Sequence, residues 1–221
     1  VERSRGLGDV YKRQMIASSH PIAASIGIEI LKSGGNAVDA AIAMNAVLCV
    51  AEPHMTGVGG DCFVMLSVDG STNIKALNGS GKSSSKAKAS KLRKRNISVI
   101  TPEMAEAITI PGAVAAWGLL HKDHGYMPWQ ELFGPAINYA QQGIKIHERV
   151  ALDWSKNVQK LSSDSDTSKL FLKNNKSFEF MDNFKNENLS ETFRTISLEG
   201  CDGFYNGWIA NDMFKKLESI G

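Results

Sequence analysis

From Met15 onward the chain switches between a period of two and a period near 3.6, and each switch marks an element. Residues 15–19, "MIASS", predict a short strand. Pro21 opens a helix with Ile22, Ile26, Ile30 and Leu31 on one face, and Gly34-Gly35 stops it. Asn36 caps a second helix, with Asp39 in its first turn, where the helix dipole favours negative charge. That helix, "AVDAAIAMNAVLCVA", is apolar almost all round, which predicts burial on several sides. It ends before Pro53. "HMTGVGGD" makes a glycine-rich turn into the strand "CFVMLSV", Asp69-Gly70 predicts a hairpin turn, and "TNIKAL" returns as the second strand.

Further along, "EAITI" (residues 106–110) predicts a strand and "AVAAWGLLHKDHG" a helix that packs Val114, Trp117 and Leu120. Residues 127–143 predict one helix ending at Gly143, 144–161 a helical segment, and 162–187 a polar excursion with little pattern. The close reads as the helix "NLSETFRTISLEG", the turn "CDGFYNG" and the helix "WIANDMFKKLESIG". The mixture places the chain in the α/β class, in the α+β sense. "VERSRGLGDVYKRQ" has neither an apolar signal core nor a periodic face, so residues 1–14 predict a non-native or disordered leader and 15–221 the folded unit.

Composition adds little. Hydrophobic content of 43% and charged content of 22% are ordinary for a globular chain, and a net charge of +2 points to neither nucleic acid nor membrane. No apolar run is long enough to span a bilayer. Cys49, Cys62 and Cys201 lack the paired spacing of metal sites and predict buried apolar cysteines, with no metal or cofactor.

"ALNGSGKSS" matches the relaxed form of a nucleotide-binding loop, but its context is wrong. Such a loop needs a parallel strand before it and a packed helix after it. Here the strand is the return arm of a hairpin, and residues 83–96, "SSSKAKASKLRKRN", have almost no apolar face to dock a helix. The match is accidental. The basic stretch 82–98 holds Lys82, Lys86, Lys88, Lys91, Arg93, Lys94 and Arg95 without an acidic neighbour. With no interleaved aromatic for base stacking, it predicts a solvated, mobile connector rather than a nucleic-acid footprint.

Three stretches, in order, resemble the gamma-glutamyltransferase family: "IASSHPIAASIGIEILKSGGNAVDAAIAMNAVLCVAEPHMTGVGGDCFVMLSVDG", "ITIPGAVAAWGLLHKDHGYMPWQELFGPAINYAQQGIKI" and "LEGCDGFYNGWIA". The resemblance spans Met15 to Gly221 and implies the four-layer αββα fold of N-terminal-nucleophile hydrolases, incomplete in this chain. It further implies a proenzyme that cuts itself before a threonine. That threonine attacks an amide carbonyl with its own α-amine as base, and the acyl group then passes to water or an amine. The residues match the large subunit, so the nucleophile is expected in a small-subunit partner and no catalytic residue in this chain.

Two departures bear on substrate. Where the family carries an Asp-Gly-Arg segment whose arginine grips the glutamyl α-carboxylate, this sequence has Asn78-Gly79-Ser80. Ser80 thus marks the substrate-binding position, with Lys82 as a compensating charge. "GVGGDCF" has Asp61-Cys62 where small residues are commoner, making Asp61 either a turn cap or a pocket residue. His20 and His54 read as cap and turn histidines. The sequence therefore predicts the large-subunit part of an enzyme that cleaves gamma-glutamyl amides such as glutathione. The alternatives are a related amidase for a small non-glutamyl amide of the oxamate type, or a non-catalytic relative.

Overall fold

The computed structural model of the protein describes residues 15–68, 70–102 and 104–220. The predicted leader, and Asp69 of the predicted hairpin turn, lie outside the described residues.

Two antiparallel helices form the centre. Helix α1 (Pro21–Lys32) starts at His20, whose ring nitrogen accepts from the Ile22 N–H at 3.2 Å. Helix α2 (Ala37–Ala51) starts with a complete capping box. Asn36 Oδ1 accepts from the Val38 and Asp39 N–H groups, and Asp39 Oδ2 accepts from the Asn36 N–H at 2.9 Å. Eleven of the fifteen α2 residues are buried, so the helix is enclosed rather than striped. Around it pack α1, α4 (Ala113–His124), the 3₁₀ turn Trp129–Phe133 and α5 (Gly134–Gln142).

Asp39 does more than cap. Its carboxylate is fully buried and also accepts from the Tyr126 N–H (3.0 and 3.2 Å) and the Met127 N–H (3.1 Å). Asn36 Nδ2 donates to the His124 carbonyl at 2.6 Å. The start of α2 is thereby tied to the chain leaving α4.

Strands β1 (Cys62–Ser67) and β2 (Ile74–Gly79) pair antiparallel, with Cys62 opposite Gly79 and Val64 opposite Leu77. Cys62, Val64 and Leu66 are half-buried on the side where α4 packs. Phe63 and Met65 face the other way, 67% and 79% exposed. That face is an uncovered apolar sheet surface.

Several predicted elements come out differently. Residues 15–19 have no strand partner among the described residues. In 106–110 the chain makes a 3₁₀ turn, Ala105–Ala107, and one antiparallel bridge, Thr109 to Ser83, instead of a strand. The predicted helix over 127–143 is broken at Gly134, because Pro135 lacks the N–H and its ring blocks the carbonyl four residues earlier.

The basic stretch contains a short helix, α3 (Ala89–Lys94), anchored by buried Leu92. Residues 144–161 hold β3 (Ile144–Lys145), α6 (Glu148–Ser155) and α7 (Val158–Leu161). The excursion at 162–187 is ordered as α8 (Ser165–Phe171), β4 (Leu172–Lys173), β5 (Lys176–Ser177) and β6 (Asn183–Phe184). Its Phe171, Phe178 and Phe184 surround Trp154 with ring centroids at 5.3, 5.9 and 5.1 Å. The last segment is α9 (Glu187–Tyr205) and α10 (Trp208–Ile220). A kink in α9 falls at Gly200, whose φ of 67° and ψ of −154° only glycine adopts readily. The predicted turn "CDGFYNG" is thus largely a second helical piece after that kink.

Candidate functional site

The open end of the β1–β2 hairpin meets the start of α4, and the residues singled out by the sequence converge there. Asp61 Oδ1 accepts from the Gly81 N–H at 3.1 Å, twenty residues away. Asn78 Oδ1 accepts from the Ser80 N–H at 2.9 Å, making a local turn at the end of β2. The Lys82 carbonyl accepts from the Ile110 N–H at 2.9 Å, and the Gly60 carbonyl accepts from both Gly112 and Ala113 at 3.0 Å. Asp61, Ser80 and Lys82 are all exposed, so their side chains face solvent at one edge of the junction.

Only glycine fits at its centre. A Cβ at Gly81 would overlap the Ile110 carbonyl, and one at Gly112 the Gly79 carbonyl. The turn holding Ser80 is therefore pressed against the chain entering α4.

At the start of α4 the Ala113, Ala115 and Ala116 N–H groups find acceptors within the protein. Besides Gly60, Tyr205 Oη accepts from the Ala115 N–H at 3.1 Å and donates to the Pro111 carbonyl at 2.7 Å. Burial raises the Tyr205 pKa above its ordinary value, so the phenol stays a donor. Cys201 Sγ lies 3.4 Å from the Val114 carbonyl. Neither Tyr205 nor Cys201 was singled out as a site residue by sequence reasoning. Their only signal was "CDGFYNG", and its partner lies some ninety residues earlier.

The histidines sit apart from this junction. His20 caps α1, as expected. His54 does more than turn the chain: its Nδ1 accepts from Trp154 Nε1 at 3.3 Å, and its Nε2 faces Asp153 Oδ2 at 3.4 Å. Asp153 also accepts from Arg149 Nε at 2.7 Å. Burial lowers the His20 pKa; Glu52 opposes this and His147, 5.4 Å away, adds to it. The unfolded chain protonates this ring near pH 6.5, while the folded chain resists protonation to lower pH. The stability from neutral His20 is thus complete above that value and lost as pH falls below it, towards the lowered folded pKa. Replacing His20 with Asn, a cap that does not titrate, should flatten the loss in unfolding midpoint between neutral and mildly acidic pH. An unchanged pH slope would refute this account.

An open groove of about 590 Å³, lined among others by Ile16, Leu31, Met44 and Leu48, shares no residue with the junction. It is apolar and carries none of the candidate chemistry. Among the described residues no group of three or more His, Cys, Asp and Glu is placed to hold a metal ion, and no helix is long and apolar enough to cross a membrane.

The gamma-glutamyltranspeptidase model matches residues 23–221. The chain belongs to the gamma-glutamyltranspeptidase family. It is 32% identical over 209 residues to the glutathione hydrolase-like YwrD proenzyme of Bacillus subtilis, covering 95% of this chain and 40% of that protein. It is also 32% identical to the capsule biosynthesis protein CapD proenzyme of Bacillus anthracis, covering 90% of this chain and 34% of the relative. The Helicobacter pylori gamma-glutamyltranspeptidase structure superimposes with a TM-score of 0.86 at 29% identity, covering 93% of this chain and 60% of that one. The chain thus spans about 40% or less of these two curated relatives' length. Its mixed helix-and-strand structure resembles that of gamma-glutamyltranspeptidases.

Proposed function

We propose that this chain is the large-subunit part of a self-processing enzyme that cleaves gamma-glutamyl amides, with glutathione as the type substrate, by hydrolysis or transfer. The observation that carries it is a family match along nearly the whole chain, joined to a coverage of only 40% of the glutathione hydrolase-like relative. The attacking threonine then belongs to the length these residues do not span. Its hydroxyl oxygen would add to the amide carbonyl carbon and its own amine would take the proton. The leaving amine would carry that proton away, leaving an acyl-enzyme for water or a second amine.

The uncovered face of the hairpin, with Phe63, Met65 and Ile74, supports a fold completed elsewhere. In the four-layer αββα arrangement we propose, that face lies against the second sheet. Residues 15–19, which have no strand partner among the described residues, gain a neighbouring strand there.

Ser80 favours a second reading, an amidase for a small amide without the amino-acid head. An exposed hydroxyl offers one neutral hydrogen bond where a guanidinium offers a charged pair.

The test uses a chromogenic gamma-glutamyl anilide. The purified 221-residue chain should release no product above background, and co-expression with the downstream reading frame should restore release. Turnover by the chain alone at a rate near an intact family enzyme would overturn the assignment of the nucleophile.

A further inference from the structure

The sequence holds two Asn-Gly pairs, Asn78-Gly79 and Asn206-Gly207, and the structure treats them in opposite ways. In such a pair the asparagine side chain reaches the next backbone nitrogen easily, because glycine has no Cβ to obstruct the approach. Asn78-Gly79 is shut against this. Gly79 sits in the β1–β2 ladder opposite Cys62, Asn78 Oδ1 is occupied by the Ser80 N–H, and the Gly79 carbonyl is pressed against Gly112.

Asn206-Gly207 is open. The pair forms the bend between α9, which ends at Tyr205, and α10, which begins at Trp208. Asn206 is exposed, and its Nδ2 makes only a long contact, donating to Asp202 Oδ1 at 3.3 Å. Among the described residues the Gly207 N–H finds no backbone acceptor. Asn206 has φ −116° and ψ −2°, so a rotation about ψ, at a residue outside both helices, brings its Cγ to the Gly207 nitrogen.

We propose that Asn206-Gly207 is a self-modifying site, where Asn206 becomes aspartate and isoaspartate and the isoaspartate loosens the brace at the start of α4. The Gly207 nitrogen gives its proton to solvent base and attacks Asn206 Cγ. The C–Nδ2 bond breaks, ammonia leaves, and a five-membered succinimide remains. Water then opens either ring carbonyl, and the Gly207 nitrogen regains its proton. Nothing is oxidised or reduced, and water is the sole co-reactant. Isoaspartate routes the chain through the former side-chain carbon, which lengthens the backbone directly after Tyr205. Tyr205 Oη is the group that joins the Ala115 N–H and the Pro111 carbonyl beside the junction. The change therefore reaches the junction, and it runs in one direction.

The test ages the full-length protein in mildly alkaline buffer. The peptide bearing Asn206 should gain the mass of the amide-to-acid exchange and accept methyl groups from an isoaspartyl methyltransferase. It should convert at least roughly tenfold faster than the peptide bearing Asn78, which must first leave its ladder. Hydrogen exchange at the Ala115 amide should speed up in step with isoaspartate. Asn206→Gln, whose side chain would need a six-membered ring, should hold both readouts at their fresh values. Freshly made Asn206→Asp adds the charge without the extra backbone carbon and should keep Ala115 protected. Conversion at Asn206 no faster than at Asn78 overturns the proposal. So does Ala115 exchange that is unchanged in isoaspartate-bearing protein, or already fast in fresh Asn206→Asp.

Discussion

Replacing Asp39 with Ala should lower the stability of the chain by about 3 kcal/mol, roughly a hundredfold in the folding equilibrium. The buried carboxylate accepts from three backbone N–H groups, those of Asn36, Tyr126 and Met127. Alanine leaves all three without that acceptor. Hydrogen bonds to a charged acceptor are worth about 1.5–3 kcal/mol each, so simple addition would give a larger loss. Tyr126 is 79% exposed, however, and water can replace the lost acceptor there, which brings the sum down. Asp39→Asn keeps one acceptor oxygen but sets an NH₂ against at least one donor, and should cost about half as much. The exposed Asp123, in the last turn of α4, should change stability by less than about 0.5 kcal/mol when replaced by Ala. Urea unfolding midpoints of the three variants check the order. Hydrogen exchange at the Tyr126 and Met127 amides checks the cause, because both should lose protection before the rest of α4. A midpoint for Asp39→Ala within error of the parent would refute the argument.

That residue also marks the limit of what the sequence reveals. Its place in the first turn of α2 was legible, because capping is decided within four residues. Its second set of donors lies 87 and 88 positions away, and no local pattern encodes that reach. The same division runs through the fold. Pro21, Gly34 and Asn36 punctuate α1 and α2, and alternation gives β1. The predicted strands at 15–19 and 106–110 depended on pairing partners, which periodicity cannot supply. Phe171, Phe178 and Phe184 sit at irregular spacings and looked like a polar excursion; only Trp154, from a different helix, makes them one cluster. At the junction, Asp61, Ser80 and Lys82 came from comparison with a family pattern, whereas the Tyr205 bonds that brace the same place had no such guide.

In the full-length protein, Ser80→Arg should raise kcat/KM for gamma-glutamyl amides relative to neutral small amides by roughly 30- to 150-fold. This corresponds to about 2–3 kcal/mol for a charge-assisted, two-point contact to a carboxylate. The position can take the longer side chain: Ser80 is exposed, its N–H is already used by Asn78, and among the described residues its hydroxyl makes no hydrogen bond. Asp61 complicates the outcome in a testable way. Its carboxylate bonds the next residue, Gly81, so it can capture a new guanidinium before a substrate does. Adding Asp61→Asn keeps an acceptor for the Gly81 N–H and removes the competing charge. The double variant should therefore gain more than Ser80→Arg alone. A parent enzyme that already processes glutathione efficiently, together with no gain in either variant, would mean that Ser80 does not occupy the carboxylate position. Lys82, or a residue outside this chain, would then hold the substrate's α-carboxylate.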